Sequence, residues 1–403
     1  MTQTEHEFRR IPEDQYDKLQ EFIQYAFWPQ QGAAPEDWQP LDDIDERFGV
    51  PYGLYDGDEL VYSFHARLMD AQIRGQTRQA ALLCSLVVPP ENRGERLTGS
   101  AVTNVYNYLS KEGVNFGFFW PFSHRFYFQY GYRPIHTVST YEFAPSAVSR
   151  VLDDVQGEFG RIGPDDWREL QPIYEAYVDR YSAPIQRPES WWRNHIFQPG
   201  TKTMHTVVWS RDGEDRGYMV YRVIDGKKGQ RLAIHDLAYR DYEAFRHLLE
   251  FISRHSTQVA EVSLTAPSDL RLLDMVNDPS SVSVSTKLGA VASVYDVAGA
   301  ATNTPVSEDV EGAVAVRVSN PVIEDADAIY RIETESGRLS CEQVDESPDV
   351  TFGVGEFTQL LVGYRSVFEL AETSSMVSIE NPAAATTLDA LLPSTPTHVF
   401  DDF

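Results

Sequence analysis

One segment constrains the fold more than any other: QAALLCSLVVPPENRGERLTGSAVTNVYNYL, Gln79–Leu109. Its continuous apolar run, Ala80–Val88, is the length of a buried strand. Two prolines and Gly94 then break it, because proline removes a ladder donor and glycine permits a sharp reversal. From Leu97 the apolar side chains recur four apart, at Leu97, Ala101, Val105 and Leu109, which is helical spacing. Val114–Trp120 is apolar and strand-like again. Strand, turn, helix and strand make a βαβ unit, and so place the chain in the α/β (α+β) class. The turn enters a helix N-terminus, where unpaired N–H groups and the positive end of the dipole attract phosphate. Alone, this is equally a structural turn.

Similar rhythms fill the rest of the 403 residues. An amphipathic helix is expected over Glu13–Ala26. Strands are expected at Tyr52–Tyr55 and Leu60–Met69, joined through Asp56-Gly57-Asp58. Residues 151–300 repeat the pattern, with strands at Met204–Ser210, Arg216–Ile224, Leu232–Tyr239, Val259–Thr265 and Ser281–Val297. Helices frame them at Asp165–Tyr181 and Tyr242–Ser256, so this region reads as a diverged second copy of the first fold. Residues 301–403 differ, with alternating Val314, Val316 and Val318 and helix-like Gly355–Val362 and Ala383–Leu392. AGAATNTPVSEDVEG (Ala298–Gly312) reads as a linker.

The formal charge is −27, and lysine is scarce. An acidic surface of this kind suits a salt-rich, halophilic cytosol, where the Debye length is about 3 Å at 1 M salt. It argues against nucleic-acid binding, which needs a basic face. No apolar run approaches the roughly 20 residues of a membrane span, and no signal peptide is visible, so a cytoplasmic protein is expected. Two cysteines, Cys84 and Cys341, suggest buried thiols rather than a disulfide framework. The ten histidines show no metal-ligand spacing, so no metal is expected. Walker A, GxSxG and EF-hand patterns are absent.

Two further stretches carry candidate chemistry. RFYFQYGYRP (Arg125–Pro134) is rich in aromatics, which suits either core packing or a tyrosine general acid. The end, HVFDDF, is either a frayed tail or a ring and a free carboxylate delivered to a site.

Together, LVVPPENRGERL, FYFQYGYRP, SPDVTFGVGEFTQLLVGY and a terminal Phe resemble the enhanced-intracellular-survival (Eis) family of GNAT N-acetyltransferases. The resemblance implies two tandem GNAT domains, at 1–150 with the acetyl-CoA site and at 151–300 in degenerate form. A sterol-carrier-protein-like domain at 301–403 would follow, its C-terminus reaching the active site. It implies that Leu86, Val87 and Val88 hold the pantetheine arm, and that Arg93, Gly94, Glu95, Arg96, Leu97, Thr98 and Gly99 form the pyrophosphate turn. Phe122 and Ser123 would also contact the cofactor. Arg96 stands where the family has glycine; it either obstructs the cradle, points outward, or lays its guanidinium on a phosphate. The family's general acid matches Tyr127 and its C-terminal base matches Phe403. Phe27, Trp28, Asp401 and Asp402 are candidate acceptor contacts. The implied activity is acetyl transfer to a primary amine of a small molecule or lysine, by a homo-oligomer, commonly a hexamer. The alternative is a catalytically silent CoA- or lipid-binding protein working through its sterol-carrier-like domain. LAIHDLAYRDYEAFRHLL (Leu232–Leu249) has no glycine, and is expected not to bind CoA.

Overall fold

The computed structural model describes residues 6–27, 49–93, 97–149, 151–152, 154–197, 204–323 and 327–402. They form two compact units, one of Met1–His136, Tyr181–Gln186 and Gly289–Phe403, the other of Thr137–Arg180 and Arg187–Leu288.

The first unit begins with β1 (Glu7–Arg10) and α1 (Tyr16–Phe27), which buries Leu19 and Ile23 from its apolar stripe. A long antiparallel run follows, through β2 (Val50–Asp56), β3 (Glu59–Ile73) and β4 (Gln76–Val87). Gly57, at φ +61°, supplies the left-handed backbone for the tight turn between β2 and β3. Helix α2 (Leu97–Lys111) then crosses to β5 (Phe116–Phe119), which pairs parallel to β4. It buries Leu97, Ala101, Val105 and Leu109, the four residues that set the expected helical period. The short α3 (His124–Phe128) and β6 (Arg133–Pro134) follow.

The second unit repeats the plan. β7 (Thr137–Phe143), β8 (Glu158–Arg161), α4 (Trp167–Val178) and β9 (Met204–Arg211) lead into the hairpin β10 (Glu214–Gly226) and β11 (Gly229–Tyr239). Helix α5 (Tyr242–Ser253) crosses to β12 (Glu261–Pro267), parallel to β11, and β13 (Ser283–Leu288) ends the sheet. Among the described residues, the order here is β13-β7-β12-β11-β10-β9-β8.

The next strand, β14 (Val291–Val294), returns to the first sheet, giving the order β1-β2-β3-β4-β5-β14-β6. A reciprocal exchange results. β7 lies between β12 and β13 in one sheet, and β14 lies between β5 and β6 in the other. The expected linker Ala298–Gly312 begins instead in a helix, α6 (Val297–Ala301), with Ala300 and Ala301 completely buried. Arg78 of β4 donates to the carbonyls of Ala300 and Thr302. Small residues that read as turn-formers are here small because they pack closely.

The remaining chain forms β15 (Ala313–Ser319), β16 (Ala328–Glu335), β17 (Arg338–Val344), β18 (Val350–Gly353), α7 (Val354–Val362), α8 (Val367–Thr373), β19 (Ser378–Ile379) and α9 (Pro382–Leu391). Its sheet runs β17-β16-β15-β18-β19. Every residue of α7 is buried. Cys341 is buried as expected and Cys84 partly so; neither forms a disulfide, and burial pushes the thiol of each up to about 12.

Candidate active site

The site grows out of an interrupted strand pair. β4 and β5 are in register only at Ala80–Phe116, Ala81–Gly117 and Leu82–Phe118. Beyond Leu82, β4 runs on to Val87 against β3, and its register shifts between Ser63 and His65. Ser85 takes φ +52° in this stretch, a conformation that side chains other than glycine rarely adopt. The bulge turns β4 away from β5, so the main chain at Leu86–Val88 has no strand on that side among the described residues. An extended amide-bearing molecule can pair with such an edge as an added strand would.

A cavity of about 670 Å³ opens beside that edge. Its wall includes Phe27, Leu86, Val87, Val88, Arg93, Leu97, Thr98, Phe122 and Tyr127, which the sequence had singled out from separate segments. Ala26, Tyr62, Asn92, Phe126, Gln129 and Tyr130 also line it and were not anticipated. Tyr62 lies in the alternating pattern of a strand, which does not tell a core ring from a cavity ring. Gly94, Glu95, Arg96, Trp28 and Phe403 lie outside the described residues. Gly99 is in the first turn of α2, where a Cβ would meet only the Tyr130 ring, at an ordinary 3.6 Å. Arg93 donates through Nε to the Val88 carbonyl at 3.2 Å, folding the start of the loop back onto the end of the strand.

Tyr127 sits on α3, which Ser123 caps by accepting from the Phe126 amide at 3.4 Å. The helix ends in a Schellman motif: the Tyr132 amide donates to the Tyr127 carbonyl, and Gly131, at φ +79°, donates to that of Phe128. The Tyr127 ring is 4% exposed and stands edge-on to Phe119 at 4.5 Å. Burial, with a smaller contribution from Tyr130, pushes its phenol up to about 12, so it holds its proton firmly. Phe122 and Phe27 form an apolar rim, 79% and 51% exposed.

The tail is held by hydrogen bonds as far as Asp401. Thr395 donates to the Gly363 carbonyl, Ser182 to that of Pro396, and His398 to that of Ser182. The Ala290 amide donates to His136 Nε2 at 3.0 Å, so His136 carries its proton on Nδ1 and directs it at His398 Nδ1, 3.1 Å away. Trp120 Nε1 donates to the Asp401 carbonyl at 3.0 Å. Asp401 is buried and Asp402 exposed; neither is among the residues that line the cavity.

In the second unit, the corresponding features are occupied by the chain itself. Asp236, on the part of β11 beyond its pairing with β12, receives two hydrogen bonds from Arg187 and one from Tyr218. Asp241 caps α5 by accepting from the Ala244 amide and also pairs with Arg216.

Models of the acetyltransferase (GNAT) domain match residues 7–135 and 183–292, and a sterol carrier protein domain model matches 297–399. The chain is a GNAT-family N-acyltransferase of Eis-like architecture. A GCN5-related N-acetyltransferase from Anabaena variabilis superposes with a TM-score of 0.87 at 13% identity, covering 99% of this chain and 100% of that one. One from Kribbella flavida gives 0.84 at 17%, covering 100% and 99%. Eis1 from Mycobacterium abscessus gives 0.79 at 19%, covering 98% and 100%. No curated protein matches in sequence. A GNAT fold uses acyl-CoA and an amine-bearing acceptor, and the cavity fits that donor: a free strand edge, a helix N-terminus and an apolar wall meet in it. Among the described residues, no helix is long and apolar enough to cross a membrane, and no group of three or more His, Cys, Asp or Glu is placed to hold a metal.

Proposed function

We propose that the protein is an acetyl-CoA-dependent N-acetyltransferase that acts on a primary amine of a small molecule or lysine. The observation that carries this reading is one cavity shared by the free edge of β4, the start of α2 and the buried Tyr127. Leu86, Val87 and Val88 present main-chain groups to the pantetheine arm. The first turn of α2, at Leu97, Thr98 and Gly99, faces the pyrophosphate with its amides and dipole.

Acetyl-CoA supplies a thioester whose carbonyl an amine attacks. The amine must first lose its proton, and the terminal carboxylate of Phe403 accepts it. Asp401 is tied to Trp120, and Phe122, two residues further along, lines the cavity. From Asp401 to Phe403 the chain spans at most about 7 Å. Tyr127, its phenol protonated by virtue of its high pKa, gives its proton to the departing thiolate. The apolar rings around it exclude water and strengthen both transfers.

Only the first unit binds acetyl-CoA in this reading. In the second, Asp241 occupies the helix N-terminus that an anion would use, and the Arg187–Asp236–Tyr218 cluster stands beyond the end of the parallel pairing. The complete burial of α7 argues against the sterol-carrier-like region as a separate working part.

The test is release of free CoA thiol on mixing the protein, acetyl-CoA and a panel of primary amines in high salt. No release with any amine, together with no thermal shift on adding CoA, would overturn the reading.

A further inference from the structure

Helix α7 lies in the stretch matched to a sterol carrier protein, yet its first turn meets the turn that follows Tyr127. Glu356 is 3% exposed and accepts from Arg133 Nε at 2.8 Å. The same guanidinium donates from its Nη1 to the carbonyls of Phe128, at 2.8 Å, and Tyr132, at 3.1 Å. Ser374 donates to the same Glu356 oxygen at 2.8 Å, which holds the carboxylate in place. One Arg fork therefore joins a buried carboxylate to both ends of the turn that terminates α3.

The backbones also touch. A Cβ on Gly131 would lie 2.5 Å from Val354 Cγ1, and one on Gly355 would lie 2.7 Å from the Gly131 carbonyl and 2.6 Å from Arg133 Cγ. Two glycines thus let the turns interlock, so the α3 turn cannot shift without α7. Further along, Gln359 donates to the Pro134 carbonyl, the Val294 amide donates to Thr358 Oγ1, and Arg74 donates to the carbonyls of Leu360 and Leu361. The clamp therefore stands on a helix that is itself held along its length.

We propose that Glu356 is a positioning residue for acyl transfer: through Arg133 it sets the α3 turn and hence the place of the Tyr127 hydroxyl. The sterol-carrier-like region thereby serves catalysis as a brace on the general acid. This inference rests on Tyr127 being that acid.

The test compares Glu356→Gln, Tyr127→Phe and their combination in the full-length protein, with acetyl-CoA and an accepted amine. Glu356→Gln keeps the shape and removes the charge. It is expected to lower kcat about tenfold, since small misplacements of a reacting group cost of that order, with the KM for acetyl-CoA within about twofold of the parent. In the Tyr127→Phe background the same change is expected to cost less than about twofold, because no hydroxyl remains to be placed. A merely structural role would give the same loss in both backgrounds, and that result overturns the inference. So does an unchanged kcat for Glu356→Gln when Tyr127→Phe is slow. If Tyr127→Phe is as fast as the parent, the assignment of Tyr127 falls and the inference with it. Should Glu356→Gln fail to fold, Arg133→Lys, which keeps the charge but loses the fork, is read in the same pair of backgrounds against the same outcomes.

Discussion

Trp120 Nε1 donates to the main-chain carbonyl of Asp401 at 3.0 Å, across 281 positions of sequence. Trp120 follows β5 directly and precedes the Phe122–Ser123 entry to α3, so this bond ties the tail to the segment that carries Tyr127. Replacing Trp120 with Phe keeps an aromatic ring beside His136 and removes the donor along with part of the indole's bulk. We expect kcat to fall about tenfold while the KM for acetyl-CoA stays near the parent value. Extending the chain by a few residues after Phe403 should abolish transfer and leave CoA binding intact. Steady-state kinetics and a thermal-shift titration with CoA check both; an undiminished kcat in the extended protein rules out the terminal carboxylate as base.

Tyr127→Phe should lower kcat by about 10²-fold or more, the range of general acid catalysis, and change cofactor affinity little. The phenol is raised to about 12, so its acid form persists through the ordinary tyrosine range. The pH profile of kcat should therefore show no alkaline limb near 10. A limb at that value, absent from Tyr127→Phe, would contradict the burial seen here.

Stability should fall on mild acidification. His65 is buried and lowered to about 3, and His398 is buried and lowered well below 6.5, both by desolvation, with His136 adding to the effect on His398. The unfolded chain therefore takes up protons first as pH drops below about 6.5, and the folded state loses stability from there downward. At pH 5.5 each group costs on the order of 1 kcal/mol. The thermal midpoint should be level above pH 7 and decline between 6.5 and 5.5. His398→Asn should flatten that decline, and a midpoint that stays level in the parent would be the contrary result.

Gly131→Ala should destabilise the protein by about 2 kcal/mol or more. The left-handed conformation at φ +79° alone costs roughly 1–2 kcal/mol for a residue with a Cβ, and the added methyl meets Val354 Cγ1 at 2.5 Å. Adding Val354→Ala should recover the steric part and leave the conformational part. Differential scanning calorimetry of the parent and the two variants separates the two; equal midpoints for parent and Gly131→Ala would contradict the close approach.

Much of this was legible in the residues. The helix begun at Leu97 buries the side chains whose spacing announced it, and the hairpin at Gly57 follows from an Asp-Gly step. The tandem GNAT and sterol-carrier-like plan followed from a resemblance carried by a few motifs. Tyr62, Phe126, Gln129 and Tyr130 were not anticipated as cavity residues, because periodicity reports which side is apolar and not whether a partner covers it. The Val297–Ala301 helix was missed because small residues suit both a loop and close packing. The reciprocal placement of β7 and β14 was out of reach as well, since a strand's own sequence does not name the strand it pairs with.

By itself, then, the sequence determined the local units: which stretches bend, coil or extend, and that the prolines after Val88 end a strand ahead of the helix begun at Leu97. These depend on spacings of a few residues and on the conformational limits of proline and glycine. Only the tertiary structure decided that β4 leaves β5 after Leu82, that Trp120 holds Asp401, and that Arg133 reaches Glu356. Those relationships join positions far apart in the chain, and they are set by packing and by the pairing of buried polar groups, which local spacing does not encode.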